Sequence, residues 1–247
     1  MLSLVFYVGI KMKKALLMVM LIPSIGWGSV VLNSTRVVFN DGVKETNLRI
    51  NNDNPHPVLV QSWIEDRQST STKIESSKYF IVTPPVYKME QGTSQIIRII
   101  KKSDVLPDNK ESIFWLNVLE VPPSITGENT GNALRLAFKT RIKVFYRPKG
   151  MTSPTDEYLH EAITCSKTNN SNGSEELECN NSSPYHLSFS SAKIKTARGL
   201  KDITDKNLMI APFGKNRVNL EGVESASSFV YVLINDYGAA VSGELAL

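Results

Sequence analysis

The chain of 247 residues is poor in the residue types and motifs from which catalytic and metal sites are usually built. Its three histidines, His56, His160 and His186, lie far apart, and none belongs to an HExxH or HxH pattern. The sequence also contains no GxSxG elbow, no Walker glycine loop and no GxGxxG turn. We therefore expect no enzyme activity, no cofactor and no metal site.

An excess of charge of one sign is also missing from most of the chain. The formal net charge is +4, from 28 basic and 24 acidic residues. Residues 1–28 contain three lysines and no acid, which leaves 25 basic and 24 acidic residues in the remainder. Nucleic-acid binding by bulk charge is therefore not expected, and any basic function must be local.

The amino terminus has the pattern of a secretory signal peptide. Met12–Lys14 is a positive region, Ala15–Ile25 is a short apolar run, and Gly26 and Gly28 are small residues at a cleavage site. We predict that residues 1–28 are removed near Gly28, that translation starts at Met12, and that the exported chain does not contact the membrane. An uncleaved anchor, lengthened by the apolar residues before Met12, is the alternative.

The chain has only two cysteines, and they flank a polar segment typical of a hairpin tip. Cys165 and Cys179 enclose the sequence SKTNNSNGSEELE, with strand-like runs on either side. In an exported chain this arrangement predicts a disulfide across a hairpin. A redox pair or a metal site would call for a CxxC spacing or nearby histidines, which the segment lacks.

Short strand-like runs with turn signals between them dominate the rest of the chain, and no helical periodicity is present. They predict an all-β protein with two immunoglobulin-like β-sandwich domains, at residues 29–149 and 150–247. The runs of the first domain are Val30–Phe39, Glu45–Ile50, Val58–Ile64, Tyr79–Val82, Ile96–Ile100, Phe114–Val121 and the run from Ala133. Those of the second are Tyr158–Cys165, His186–Ala192, Asn207–Ile210, Arg217–Leu220 and Phe229–Asn235.

The run Ala133–Pro148 alternates large apolar and basic side chains. Successive side chains of a strand point to opposite faces, so one face is apolar and the other basic. Such a strand is suited to receiving another chain. The apolar members are Leu134, Leu136, Phe138, Ile142 and Val144, and the basic ones are Arg135, Lys139, Arg141 and Lys143.

Five short sequence blocks occur in order along the chain: Ser34–Phe39, Thr83–Pro85, Glu111–Asn117, Lys139–Pro148 and Ile234–Gly238. Together they resemble the periplasmic chaperones of the chaperone–usher pathway, which assemble pili. The resemblance implies two immunoglobulin-like domains in an L-shaped arrangement with a cleft between them, and a location in the periplasm. The short segment Pro122–Asn132 is similar to the corresponding segment of the short-loop, PapD-like branch.

The resemblance implies that the alternating strand is lent to an incomplete pilus subunit by donor-strand complementation. By position, the lending residues are Leu134, Leu136 and Phe138. Arg36 and Lys143 match the pair that anchors the terminal carboxylate of the subunit. Leu134 and Lys143 are nine residues apart, so either the lending face and the cleft face differ or a bulge intervenes.

Further roles also follow from the resemblance alone. Glu111, Arg147 and Asp236 match an ion-pair network between the two domains. Pro85 and Val86 are the expected contacts with an outer-membrane usher, and Thr83–Pro84 matches a position with a cis peptide. A free chaperone of this kind is also expected to cap itself as a homo-oligomer.

Two other classes of function fit parts of the sequence. An exported double β-sandwich adhesion module would bind partners without chaperoning them, and its run Leu134–Phe138 would be paired and buried. A secreted hydrolase would have only Glu111 and Asp236 as candidate acids and bases, and Arg147 as their common neighbour favours an ion pair instead.

Overall fold

The computed structural model describes residues 29–66, 76–102, 105–123, 136–204, 209–223 and 225–247. The predicted signal peptide, Leu134 and most of Pro122–Asn132 lie outside these residues. Within the described part of the chain, no helix has the length and apolar character needed to cross a membrane.

The first domain is a sandwich of two β-sheets. One sheet has the order β1-β3-β7-β5 and the other the order β2-β9-β8-β4-β6. Alternating side chains from both sheets fill one core, which includes Phe39, Ile50, Ile97, Leu116 and Val144. The strands are β1 (Val30–Leu32), β2 (Arg36–Asn40), β3 (Glu45–Asn52), β4 (Val58–Glu65), β5 (Phe80–Thr83), β6 (Val86–Met89), β7 (Ser94–Lys101), β8 (Ser112–Val121) and β9 (Phe138–Arg147).

The run Val30–Phe39, predicted as one strand, is two strands in different sheets. β1 pairs with β3 antiparallel, whereas β2 pairs with β9 parallel. The break falls at Asn33–Thr35, where the Ser34 hydroxyl bonds the backbone of Arg36. A serine side chain that bonds the backbone two residues further along competes with the hydrogen bonds between strands. This local bonding fits the change of sheet at this point.

The second domain is a smaller sandwich with its own core, which includes Leu177, Leu187, Ile194 and Tyr231. Its sheets have the orders β10-β11-β15 and β13-β12-β16-β17, and β14 pairs with β12. The elements are α1 (Asp156–Glu161), β10 (Ile163–Asn169), β11 (Glu175–Asn181), β12 (Leu187–Thr196), β13 (Gly199–Asp202), β14 (Met209–Ile210), β15 (Lys215–Asn219), β16 (Ser228–Ile234) and β17 (Ala240–Ala246).

Two local predictions for this domain need correction. The run Tyr158–Cys165 begins as a helix, because Thr155 caps α1 by accepting a hydrogen bond from the Tyr158 N–H at 3.2 Å. The predicted hairpin tip is also shorter than expected. β10 and β11 continue inside the two cysteines, and only the turn after Asn169 lies between the strands.

Candidate functional site

β9 has two halves with different surroundings. β8 pairs with it antiparallel from Phe138 to Tyr146, but β2 lies beside it only from Lys143 to Arg147. Residues 138–142 therefore have β8 on one side, and no described strand pairs with their other edge. Among the strands that the structure describes, this half of β9 therefore lies at the edge of its sheet.

The predicted lending residues that the structure describes are exposed on this open half. The side chains of Leu136 and Phe138 are 55% and 52% exposed, whereas Ile142 and Val144, on the same face, are buried in the core. The apolar row of β9 thus continues past the end of the sandwich. Leu134, the third predicted member, lies outside the described residues.

The register settles where Lys143 points relative to these residues. β8 and β9 pair without a shift from Ser112↔Tyr146 to Glu120↔Phe138, so no bulge interrupts this part of β9. Phe138 and Lys143 are five residues apart and lie on opposite faces of the strand. For Phe138 the lending face and the cleft face therefore differ, while the spacing from Leu134, which lies outside the described residues, stays a prediction.

The parallel register places Arg36 directly beside Lys143, although 106 residues separate them in the chain. The Arg36 guanidinium lies over the Phe145 ring, 5.7 Å from its centroid, and its Nη1 donates to the carbonyl oxygen of Ile234 at 2.7 Å. Its Nε is buried and has no hydrogen-bond partner among the described residues. Lys143 Nζ donates to Ser188 Oγ at 3.0 Å, which brings the second domain to the same place.

Arg36 and Lys143 form a pair of neighbouring cations that is suited to an anion. Burial and the neighbouring Arg36 lower the pKa of Lys143 from 10.5 to about 8. Burial also lowers the pKa of Arg36, although the charges of Asp236 and Glu111 partly oppose this effect. Arg36 is buried and Lys143 is partly buried, and Arg36 has an unused donor. Two such cations between the domains fit a carboxylate, which would relieve their repulsion and accept their hydrogen bonds.

Arg147, at the end of β9, joins the two domains. Its Nε donates to Glu111 Oε1 at 3.0 Å, and its Nη1 and Nη2 donate to the two Asp236 carboxylate oxygens at 2.6 Å each. Burial alone would lower the pKa of Arg147, but the hydrogen bonds and charges of the two acids outweigh it and raise the pKa. The three residues predicted as an inter-domain network therefore lie together, and both candidate acids of a hydrolase are paired with an arginine.

His186 belongs to this joint, and the sequence did not indicate it. Its backbone N–H donates to Glu111 Oε2 at 2.8 Å, and its ring Nδ1 lies 2.8 Å from the same oxygen. Its ring also packs against Phe145 at 5.7 Å between centroids. No motif signals this role, because a lone histidine at the start of a strand has no distinctive sequence context.

The basic face of β9 is divided rather than continuous. Arg141 donates to Glu65 Oε2 at 3.1 Å and to Asn117 Oδ1 at 2.8 Å. Lys139 lies 4.0 Å from Glu65 Oε1 and above the Trp63 ring at 5.0 Å. Lys139 and Arg141 are thus balanced by a buried acid from β4, and Lys143 is left to act with Arg36.

The remaining predicted residues have clear positions. Cys165 and Cys179 face each other across β10 and β11 and form a disulfide, with Cα atoms 4.1 Å apart. Thr83–Pro84 is a cis peptide. Pro85 and Val86 are exposed at the start of β6, the edge strand of the sheet that contains β9. The described residues contain no cluster of three or more metal-ligating side chains.

Comparison with known proteins gives matches over both domains. Residues 29–152 match the family profile described as pili and flagellar-assembly chaperone, PapD N-terminal domain. Residues 159–245 match the one described as pili assembly chaperone PapD, C-terminal domain. The first match ends at residue 152 and the second begins at residue 159, so neither limit falls on the predicted domain boundary at 149/150, which stays a prediction.

Individual relatives are similar over most of their length. The probable fimbrial chaperone YadV of Escherichia coli K12 is 36% identical, covering 88% of this chain and 89% of the relative. The chaperone protein FimB/FhaD of Bordetella pertussis is 33% identical, covering 89% and 88%. The crystal structure of YadV has a TM-score of 0.72 at 34% identity, covering 89% and 100% of the two chains. A chain in the complex of the Salmonella enterica SafA pilin with the SafB chaperone has a TM-score of 0.74 at 25% identity, covering 91% and 99%.

Proposed function

The chain belongs to the PapD family of pili assembly chaperones, and from this premise we propose that it captures pilus subunits on the open half of β9 and delivers them to an outer-membrane usher. The single observation that carries the proposal is the sheet edge at residues 138–142, which no described strand covers, beside two exposed apolar side chains. The SafA–SafB complex supports it, because it is a complex of a pilin with a chaperone of similar fold.

The open edge supplies what an incomplete sandwich needs. The backbone N–H and C=O groups that point away from β8 form main-chain hydrogen bonds with a partner strand, and the alternating side chains fill pockets on the partner. Burying Leu136 and Phe138 would contribute about 3 to 6 kcal/mol before the entropy of docking is subtracted. We assign the lending role to these two residues and, by sequence position, to Leu134.

The cation pair fixes the register of the captured strand. A subunit carboxylate bound between Arg36 and Lys143 determines which pocket each alternating side chain enters, because a strand slipped by one residue presents the wrong face. The unused Nε of Arg36 and the lowered pKa of Lys143 support an anion at this point.

Three further assignments complete the proposal. The chain acts in the periplasm, where its disulfide is stable. Pro85 and Val86, exposed on the edge strand β6, contact the usher. In the absence of a subunit, two copies cover each other's Leu136 and Phe138, since such exposed apolar side chains at a sheet edge favour association.

An adhesion module without chaperone activity is less consistent with these contacts. That function calls for the run Leu134–Phe138 to be paired and buried, yet Leu136 and Phe138 are both exposed. Neither carboxylate of the hydrolase alternative is free, since Glu111 and Asp236 both bond Arg147.

Co-expression with a subunit in the periplasm tests the proposal. Leu136→Glu is expected to abolish recovery of the subunit while the chaperone stays folded by circular dichroism. Leu200→Glu is the matched control, because Leu200 is 58% exposed on β13 and should tolerate the change without loss of recovery. Unfolding of the Leu136→Glu chain would instead support the adhesion module.

The anchor has a separate test in the same assay. Arg36→Ala and Lys143→Ala are expected to lower subunit recovery, with Lys88→Ala, a solvent-exposed lysine on β6, as the control. Unchanged recovery with both substitutions would show that the pair does not anchor the subunit.

A further inference from the structure

Glu120 is a buried carboxylate beside the residue at which the mature chain is expected to begin. It lies near the end of β8, opposite Phe138, and its side chain is buried. Its Oε2 accepts hydrogen bonds from the Ser29 hydroxyl and, at 2.9 Å, from the Val30 N–H. Its Oε1 accepts from Asn54 Nδ2 at 2.9 Å.

All three donors are neutral, so the charge of Glu120 is left without a counter-ion. Within the described part of the chain, no lysine, arginine or histidine contacts this carboxylate. The other buried acids of the first domain differ in this respect, because Glu65 contacts Arg141 and Glu111 contacts Arg147. A buried charge without an oppositely charged partner is strongly unfavourable. A cation beside the Glu120 carboxylate would remove this cost.

Signal-peptide removal would create that cation at the required position. Hydrolysis of the Gly28–Ser29 bond takes up one water, leaves a carboxylate on Gly28 and frees an ammonium group on Ser29. The Ser29 nitrogen and its Oγ are joined through two carbon atoms only, and that Oγ already bonds Glu120. In the uncleaved chain the same nitrogen belongs to a peptide bond and carries no charge.

We propose that Glu120 is the binding site for the α-ammonium group of Ser29, so that removal of the signal peptide completes a buried ion pair in the first domain. The ion pair connects the start of β1 to the end of β8, where Glu120 lies opposite Phe138, the first residue of β9. The inference depends on cleavage after Gly28 but not on subunit capture, so either can fail without the other.

A pair of chains with defined first residues tests the site. One chain starts at Ser29 and the other carries Gly-Gly before Ser29; each is released from a fusion by a protease and oxidised to form the Cys165–Cys179 bond. At pH 7 the extension is expected to lower Tm by about 3 to 8 °C, because it moves the ammonium away from Glu120. With Glu120→Gln in both chains, the extension should lower Tm by less than about 2 °C.

The pKa of the Ser29 ammonium, measured by NMR in the unsubstituted chain, is the second readout and does not require that the Glu120→Gln chain folds. A neighbouring buried carboxylate should raise this pKa above its ordinary value of about 7.7 to 8.0. Because the pKa is raised on folding, the stabilisation is complete below about pH 7.7 and is lost as the pH rises through the folded-state value.

Three results would overturn the proposal. One is an ordinary pKa for the ammonium group, and another is an equal fall in Tm with and without Glu120. The third is an intact mass of the periplasmic protein that places the first residue elsewhere than Ser29.

Discussion

The two halves of β9 are one continuous strand with one sequence pattern, yet they have opposite surroundings. From Lys143 to Arg147 the strand lies between β2 and β8, and its apolar face is buried in the first core. From Phe138 to Ile142 it has β8 alone, and Phe138 remains half exposed. The difference arises from where β2 begins, and not from the alternation of β9 itself.

This comparison separates stability from function along one strand. A side chain in the closed half contacts the core or the second domain, so its removal should destabilise the free chaperone. The Phe138 side chain of the open half is half exposed in the free protein, so under the proposed function its removal should weaken capture instead.

The largest effect is expected at the end of the closed half. Arg147→Ala leaves Glu111 and Asp236 without their common cation, and it should lower the free energy of unfolding by about 3 to 5 kcal/mol. Urea unfolding followed by circular dichroism measures it. The control is Arg217→Ala, which breaks an exposed ion pair with Glu178 and should leave the value nearly unchanged. Similar values for the two variants would contradict a bracing role for Arg147.

A pair of truncations compares the two halves directly. Val144→Ala should lower the free energy of unfolding by about 2 kcal/mol, since the side chain is fully buried. Phe138→Ala should change it by less than about 1 kcal/mol, because the ring is half exposed in the free protein, yet subunit recovery should fall about tenfold. If Phe138→Ala destabilised the chain as much as Val144→Ala, the open half would be part of the core.

The sequence predicted the parts of this arrangement that depend on local patterns. Period-two alternation indicated β9 and its apolar face, and the polar segment between Cys165 and Cys179 indicated the hairpin and its disulfide. The resemblance, and not the pattern, singled out Arg36 and Lys143. Their contact depends on a parallel register between strands far apart in the chain, which no local pattern specifies.

Two other features of the site were beyond sequence reasoning for a similar reason. His186 bonds Glu111 only because the second domain packs against the first at that point. Glu65 reaches Arg141 across β8, and the residues between them in the chain give no sign of the contact. Side-chain partners set by sheet order and domain packing become visible only in three dimensions.

Lys143, at the boundary between the two halves, should make carboxylate binding depend on pH. The pKa of Lys143 is about 8 in the free protein, and a bound carboxylate should raise it again. Affinity for a peptide with a free carboxyl terminus should therefore fall about tenfold as the pH rises from 7 to 10, because the free lysine loses its charge. Titration calorimetry measures the affinity, and Lys143→Met should give a weaker affinity with a flatter pH profile.

The same lysine should affect folding with the opposite sign. Its pKa is lower in the folded protein than the ordinary 10.5, so the unfolded chain binds the proton more tightly. Its contribution to the free energy of unfolding should therefore increase as the pH rises from about 8 to 10.5, while subunit affinity decreases. A decrease in both quantities, equal with and without Lys143→Met, would assign the titration to other groups.

The smallest effect is expected from a substitution of Glu65, which contacts Arg141 and Lys139 on the face of the open half that points away from the core. Glu65→Gln keeps an oxygen for the Trp63 ring N–H, which donates to it at 2.9 Å, but loses the charge that faces Arg141 and Lys139. The free energy of unfolding should fall by about 1 kcal/mol. Hydrogen exchange should accelerate in the peptide that contains residues 138–142 and not in the closed half, because only the open half lacks β2.

Glu90→Gln is the matched control, since Glu90 pairs with Lys88 on the surface at 2.7 Å and should leave both halves unchanged. Faster exchange throughout β9 after Glu65→Gln would mean that the strand opens as one unit. Faster exchange confined to residues 138–142 would mean that β2 orders the closed half and Glu65 orders the open half. Glu65 would then hold the open half extended through Arg141 and Lys139, while Phe138 on the opposite face stays available to a subunit. An edge that is ordered before the subunit binds loses less entropy on binding.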